Sequence, residues 1–439
     1  METNLTLEQT AGKTSTLGFL WKIFRDPLDA LSTLSREQGD IAHVNLPGRN
    51  LFLLSHPEFI EQVLVKQQSN FRKGPSLQRA RIILGDGLLT SEGREHLSQR
   101  RSLQPAFFKE RIQECLPLIN MHALMNVSDW NDGEAIDISD QMMRLTLNIN
   151  LSSFFGIGPK DAVECVGKSM KTLNEVFPLA QFPLPEIAHS LFPKIEEAKT
   201  NLDDITKKLI ANPLSETSKR ALINILKENR NQDFTDEQIH SHVLTFLLAG
   251  HETTALLLVW CLDMLAHHPE VQVKLQTEVD TVLGGRFPTS NDINNLPYAQ
   301  MILKETLRMR PPAWALGREA VSDCEIGGQY IPAGSTVLVS QWVTHQDSRF
   351  YNNPLQFRPE RWSGLDGQSL PHYAYFPFGG GIRSCIGEQF AITEAVAVLA
   401  MIARLWFVSP AQSAPAKPSA SVTLRPNKSV KMIVTRRVV

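Results

Sequence analysis

Ten residues near the C-terminal end, Phe378-Gly379-Gly380-Gly381-Ile382-Arg383-Ser384-Cys385-Ile386-Gly387, set one cysteine among glycines, beside an arginine and ahead of an apolar helical run. Such a loop can carry a thiolate to a metal. The glycines permit positive φ and close backbone approach, and a helix beginning near Ile386 turns its positive end toward the sulfur and favours the charged form. Zinc would demand Cys or His ligands in pairs, and no C-x-x-C or second cysteine lies near Cys385. A lone thiolate at this place can be an axial ligand. A second constellation, Ala249-Gly250-His251-Glu252-Thr253-Thr254, interrupts an apolar run from Leu244 to Leu265. A carboxylate and two hydroxyls inside a buried helix cost desolvation unless they are paired or hydrated. Small residues at 249 and 250 let something approach the backbone, and a threonine bonded to an i−4 carbonyl can open the ladder locally. Together these features make a water-lined groove.

The ten-residue loop matches F-x-x-G-x-R-x-C-x-G and resembles the cysteine loop of the cytochrome P450 family of haem-thiolate monooxygenases. The resemblance implies that Cys385 is the proximal iron ligand, that Phe378 packs beside the sulfur, and that backbone amides around Gly387 donate to it. A thiolate opposite dioxygen favours O–O cleavage. The helical motif is similar to the family's A-G-x-(D/E)-T-(T/S), which implies that Thr253 hydrogen-bonds dioxygen and that Glu252 relays protons to it. His251, at a variable position, is expected to pair only with a neighbouring carboxylate.

Lys304-Glu305-Thr306-Leu307-Arg308 contains E-x-x-R, whose i, i+3 spacing puts Glu305 and Arg308 on one helix face. Phe357-Arg358-Pro359-Glu360-Arg361-Trp362 is similar to the family's P-E-R-F element, with tryptophan in place of phenylalanine. By resemblance Arg361 completes a buried network with Glu305 and Arg308 that supports the loop holding Cys385. The two propionates of a haem need fixed cationic partners, and arginine suits bidentate recognition of carboxylates. His96 and Arg100 lie four apart on one helix face and match the family's W/H-x-x-x-R in its histidine version. Resemblance adds Arg318 and Arg383 to that set, with Arg94 and Arg101 facing solvent. Substrate contacts are expected from the segment after Gly74-Pro75, from Phe246 and Ala249, and from Ala313-Trp314-Ala315-Leu316. Phe177-Pro178-Leu179 and Phe182-Pro183-Leu184-Pro185 are expected to form an apolar entrance. The same residues read equally well as ordinary core.

The elements that must position these groups follow from the surrounding pattern. Residues 26 to 38 read as an amphipathic helix, and Asp40 to Leu46 with Asn50 to Ser55 as a hairpin turning at Pro47-Gly48. His56-Pro57 opens another short helix. Helical patterns dominate from about 95 to 310, and Thr235-Asp236-Glu237-Gln238 is a capping-box signature that starts a long helix running to His267-His268, before Pro269 begins the next. Val321 to Val339 and Val422 to Val438 read as strands, and Ser409 to Ser421 as a surface loop. The expected fold is mainly α with a smaller β portion. By resemblance it is the cytochrome P450 fold, with a long central helix over a haem and a proximal cysteine loop. One domain is expected over 1–439, its small β-containing lobe built from 35–75 and 315–345 with the C-terminal strands, its helical lobe from 95–310 and 385–408.

The 44 basic and 46 acidic residues give a net charge of −2, with no electrostatic reason to expect nucleic acid. Five widely spaced cysteines, at 115, 165, 261, 324 and 385, form no disulfide framework and point to a reducing cytoplasm, with the other four as packing residues. No basic-then-apolar leader opens the sequence and no stretch reaches the roughly 20 apolar residues of a membrane span, so a soluble chain is expected; because eukaryotic relatives usually carry an N-terminal anchor, it resembles by analogy a bacterial-type member. The resemblance implies haem b as cofactor, and insertion of one atom of O₂ into an apolar organic substrate such as a terpenoid or fatty acid. No flavin or nicotinamide domain follows, so electrons are expected from a separate ferredoxin or flavodoxin with its reductase. Two rival readings are a haem-thiolate peroxygenase or isomerase, and a haem-binding sensor or carrier without turnover. An intact Glu252-Thr253 pair speaks against both.

Overall fold

The computed structural model describes residues 16–156, 162–180, 185–212, 221–364 and 370–438, with side chains for all of these but 17 and 176–192. The chain divides into two units. One holds the chain up to Ala80, Ala313–Gln356 and the segment ending at Cys385; the other holds Arg81–Pro312, the segment beginning at Phe357, and the chain from Ile386 onward.

The first unit is organised by a five-stranded sheet in the order Ile41–Leu46, Arg49–Leu54, Thr336–Val339, Leu316–Ala320, Phe71–Lys73. The expected hairpin is present, with Leu46 opposite Arg49 and Gly48 in the left-handed region at φ 73°. Leu51 to Leu54 form a continuous buried run because this strand is central and covered on both faces. Leu51 and Leu53 pack with Ala42, Val44, Leu31 and Leu34, the last two from the helix Pro27–Gln38. Phe52 and Leu54 pack on the other face with Val337, Val339, Ile60 and Phe376. Asp26 caps that helix by accepting from the amides of Leu28 and Asp29, and Pro27 supplies the favoured first residue. Between Val321 and Val339 the chain makes three short strands rather than a continuous alternation, broken by glycines at 327, 328 and 334 that all adopt positive φ. An unexpected strand, Leu316–Ala320, pairs with Thr336–Val339, while Cys324–Ile326 and Gln329–Ile331 pair with each other.

The second unit is helical around Asp236–His267, a 32-residue helix. Its capping box forms as expected: Thr235 Oγ1 accepts from the Gln238 amide at 3.2 Å, and the Gln238 side chain accepts from the Thr235 amide at 3.0 Å. It ends at His268, where Pro269 starts the next helix. By length and composition this helix could cross a membrane, but 83% of its apolar window is buried inside the protein, as befits a core helix apolar on all sides. The C-terminal strands, expected with the small lobe, belong here. Lys431–Arg436 pairs with Trp406–Pro410 and Ala135–Asp137. The side chain of Gln272 explains the placement: it accepts from the Val408 amide at 2.8 Å and donates to the Val408 carbonyl at 3.0 Å, stapling the strand to the helix Pro269–Leu283. Ser409 to Ser421 is therefore not one loop; it takes in the end of one strand and all of Pro418–Ala420, which pairs with Leu424–Pro426.

Candidate active site

In the first unit the cysteine loop is held by its backbone. The Cys385 amide donates to the Phe378 carbonyl at 2.9 Å, Ser384 N to Gly381 O at 3.1 Å, and Gly379 N to Phe376 O at 3.0 Å. The loop is tied to the sheet side through Phe376, whose amide donates to His345 Nε2 at 3.0 Å. Gly379 and Gly381 have φ of 73° and 67°, and a Cβ on Gly381 would overlap the Leu64 carbonyl oxygen. A Cβ on Gly380 would fall 2.5 Å from the Tyr373 ring. Each glycine is thus required by conformation or by space. Of the five cysteines Cys385 is the exposed one. Burial pushes the Cys115, Cys261 and Cys324 thiols up, Cys261 to about 12, which keeps them protonated and inert as packing residues. Among the described residues no three His, Cys, Asp or Glu side chains gather to hold a metal. This donor set fits a metal brought in by a macrocycle and ligated by one sulfur.

Arg318 is buried on the strand Leu316–Ala320, directly opposite Lys73, which is also buried. Cross-strand partners share a face, so this surface carries two cations suited to carboxylates. Lys73 was not singled out from the sequence. Its only signal there is a lysine preceding Gly74, and the buried pairing is created by the tertiary register. Arg383 and Phe378 are half-buried, as are Ala313, Trp314 and Leu316. Trp314 packs against the cluster of Leu51 and Leu53, and Leu316 against that of Phe52 and Leu54. A Cβ on Gly379 would sit 3.4 Å from Leu316, which brings Leu316 next to the cysteine loop.

In the second unit His96 is buried and Arg100 half-buried on the helix Gly93–Leu103, while Arg94 and Arg101 are exposed as expected. Gly387 is the N-cap residue of the helix Glu388–Leu405, its carbonyl accepting from Ala391 N at 2.9 Å. On the long helix Ala249 is exposed and Gly250 and Thr253 half-buried in an otherwise buried stretch, so the small-residue stripe is open. Thr253 Oγ1 donates to the Ala249 carbonyl at 3.1 Å, the i−4 bond anticipated from the sequence. A second opening was not anticipated. Asn150, from the helix Ile138–Phe155, donates to the Phe246 carbonyl at 3.2 Å, and a Cβ on Gly250 would collide with its amide nitrogen. Phe246 itself is buried against Phe107, ring centroids 5.5 Å apart, so its side chain belongs to the core rather than to an open pocket wall.

Glu252 is buried but not isolated. Its Oε1 accepts from Thr423 Oγ1 at 2.7 Å, from Asn174 Nδ2 at 3.4 Å and from Arg425 Nη2, with which it forms an ion pair. These partners lie about 80 and 170 residues away in the chain and no local spacing announces them. Among the described residues no carboxylate pairs with His251. Its Nδ1 meets the Leu247 carbonyl at 2.6 Å, because a buried i−4 carbonyl is the nearest acceptor. Burial pushes the imidazole pKa down, opposed by that bond and by Glu252.

Glu305 and Arg308 do meet, fully buried, through two 2.9 Å bonds from Nε and Nη2. Arg361 Nε adds a third at 3.2 Å, and the Arg358 amide a fourth at 3.1 Å. Trp362, the departure from the usual phenylalanine, donates its indole N–H to Glu305 Oε2 at 3.0 Å. The proposed apolar entrance at 177–179 and 182–185 lies outside the described side chains.

A model of the family described as Cytochrome P450 matches residues 16–434. The chain is 33% identical over 416 residues to Cyclooctatin synthase of Streptomyces melanosporofaciens, covering 91% of this chain and 89% of the relative. It is 30% identical to Cyclooctat-9-en-7-ol 5-monooxygenase of the same organism, with the same coverage. It is also 30% identical over 436 residues to Pentalenene oxygenase of Streptomyces avermitilis, covering 97% of this chain and 96% of the relative. A match of that extent, over a glycine-cradled cysteine and an opened long helix, makes the chain a member of the cytochrome P450 family and hence a haem-dependent oxidoreductase.

Proposed function

We propose that this chain is a haem-thiolate monooxygenase that inserts one atom of O₂ into an apolar organic substrate and reduces the other to water. The observation that carries the reading is the open stripe of exposed Ala249 and half-buried Thr253 beside a buried Glu252 ion-paired through Oε1, on one helix. Haem b, when bound, supplies the iron at which dioxygen is reduced. Cys385 would ligate it, Arg318, Lys73, Arg383, His96 and Arg100 would serve its propionates, and Phe378 would shield the sulfur.

The chain's own residues handle the protons. Thr253 Oγ1 has its proton committed to the Ala249 carbonyl and keeps its lone pairs as acceptors, so it can take a hydrogen bond from water and pass one on by rotating away from that carbonyl. Glu252 receives all its protein donors at Oε1; among the described residues none reaches Oε2, the oxygen left to exchange a proton. Adjacent helical residues project about 100° apart, so proton transfer between the two side chains would call for a bridging water. An apolar substrate such as a terpenoid suits this reading, since two relatives carry names that specify an unsaturated hydrocarbon and an unsaturated alcohol as what they oxidise. Electrons would come from a separate ferredoxin or flavodoxin with its reductase, in a reducing cytoplasm where the five unbridged cysteines persist.

The test compares product formed with O₂, electron donor and carriers against peroxide alone and against no oxidant. Product that requires O₂ and electrons, with one labelled oxygen atom from ¹⁸O₂, is expected; equal product without O₂ favours a peroxygenase or isomerase. Thr253→Ala should leave substrate binding unchanged, while product per electron pair falls roughly tenfold and peroxide takes its place. Unchanged coupling would assign proton transfer to another group.

A further inference from the structure

The carboxylate expected to move protons is gripped by the C-terminal hairpin. Glu252 sits on the long helix, and both of its nearest partners, Thr423 and Arg425, lie on or beside the strand Leu424–Pro426. That hairpin is pinned to the helical unit by hydrogen bonds that do not involve Glu252. Trp260 Nε1 donates to the Leu424 carbonyl at 3.1 Å, the Leu424 amide donates to the Pro312 carbonyl at 2.9 Å, and Ser421 Oγ donates to the Asn174 carbonyl at 3.1 Å. The cation is therefore delivered by a fixed support and not by a wandering surface side chain. Arg425 is itself largely drawn inside, its side chain 28% exposed, and its Nε is buried with no hydrogen-bond partner among the described residues. A guanidinium accepts that loss only where its other end is well paired.

We infer that Arg425, seconded by Thr423, is the positioning residue of proton delivery: it supplies the buried Glu252 with its counter-charge and anchors it by Oε1, so that Oε2 is presented as the exchanging atom. The inference rests on the proposed relay role of Glu252. The balance is simple. A proton arrives at Glu252 Oε2 from water and leaves from the same atom toward Thr253 or its water, and the Arg425 charge is unchanged throughout. Without the cation, a carboxylate 4% exposed on an apolar helix is left without its counter-charge, a loss that burial makes costly. His251 is no substitute, since its Nδ1 is engaged by Leu247 and burial disfavours its charged form.

The experiment uses the haem-loaded full chain and four variants: Glu252→Gln, Arg425→Gln, Arg425→Lys and the double Glu252→Gln/Arg425→Gln. Two readouts are taken, the partition of electrons between product and peroxide, and the infrared C=O stretch of a protonated carboxyl at neutral pH. Arg425→Gln should lower product per electron pair roughly tenfold and add a carboxyl band that the double variant lacks. Arg425→Lys should recover most of the coupling, and the double variant should couple no worse than Glu252→Gln alone. A purely structural Arg425 would lower melting temperature without producing the band or this lack of additivity, and that result overturns the inference. Wild-type coupling in Arg425→Gln alongside an uncoupled Glu252→Gln overturns it too, leaving the relay reading intact. Wild-type coupling in Glu252→Gln removes the relay reading itself.

Discussion

Cys385→Ser is expected to abolish the red-shifted band of the reduced carbonyl complex and to cut product formation by more than about 100-fold, the upper range seen when only the supporting partners of a metal ligand are lost. Serine differs from cysteine by one atom, and the bonds that shape the loop are made by backbone: Cys385 N to Phe378 O, Ser384 N to Gly381 O, Gly379 N to Phe376 O. The substitution should therefore leave the loop and the melting temperature of the haem-free protein nearly unchanged. What changes is the donor. A thiol becomes an anion near neutral pH when a helix end or a metal favours it, while a serine hydroxyl does not, and a hydroxyl oxygen is a harder and weaker ligand for haem iron. Haem content and the carbonyl spectrum of the purified variant check this. A retained red-shifted band would move the ligand away from position 385, and no other cysteine is exposed to take its place.

How much of this could be read from the chain depends on how local each cause is. The hairpin at Gly48, the capping box at Thr235, the stop at Pro269 and the i−4 bond of Thr253 are set by residues within four positions of one another, and each formed as expected. The cysteine loop was legible in part for the same reason: Gly379 and Gly381 answer to local φ and Gly380 to the nearby Tyr373 ring, while the Leu64 carbonyl that crosses Gly381 comes from far along the chain. The pairing of Glu305 with Arg308 is local too, but its burial is not. Elsewhere the deciding partner lies far along the chain. Arg425 reaches Glu252 across 173 positions, Asn150 reaches Phe246 across 96, and Lys73 meets Arg318 through strand register. Nothing in a single sequence weighs such contacts, which arise only when the core closes. The pairing of the C-terminal strands has a distant cause too, since Val408 is held by the Gln272 side chain from a helix 136 positions away.

The largest effect on stability should follow removal of Glu305. This side chain is fully buried and receives hydrogen bonds from Arg308, Arg361, the Arg358 amide and the Trp362 indole. Two of those donors are cations, 0% and 4% exposed, and the carboxylate between them pairs with both, which helps make their burial tolerable. Truncating one member of such a cluster costs about 3–5 kcal/mol, because the remaining charges stay desolvated without a counter-charge. Glu305→Ala leaves two guanidinium groups facing each other across a cavity and is expected to lose at least that much, with a sharp fall in the yield of folded, haem-loaded protein. Glu305→Gln keeps the shape and an acceptor oxygen but not the charge, and should fall between the two. Trp362→Phe removes one neutral N–H donor of four groups serving Glu305, so it should cost only about 1 kcal/mol. Melting temperature and yield for the three variants give the order wild type, Trp362→Phe, Glu305→Gln, Glu305→Ala. A Glu305→Ala protein as stable as Trp362→Phe would mean that the ion cluster is bystander packing, and that the two arginines find other anions once the carboxylate is gone.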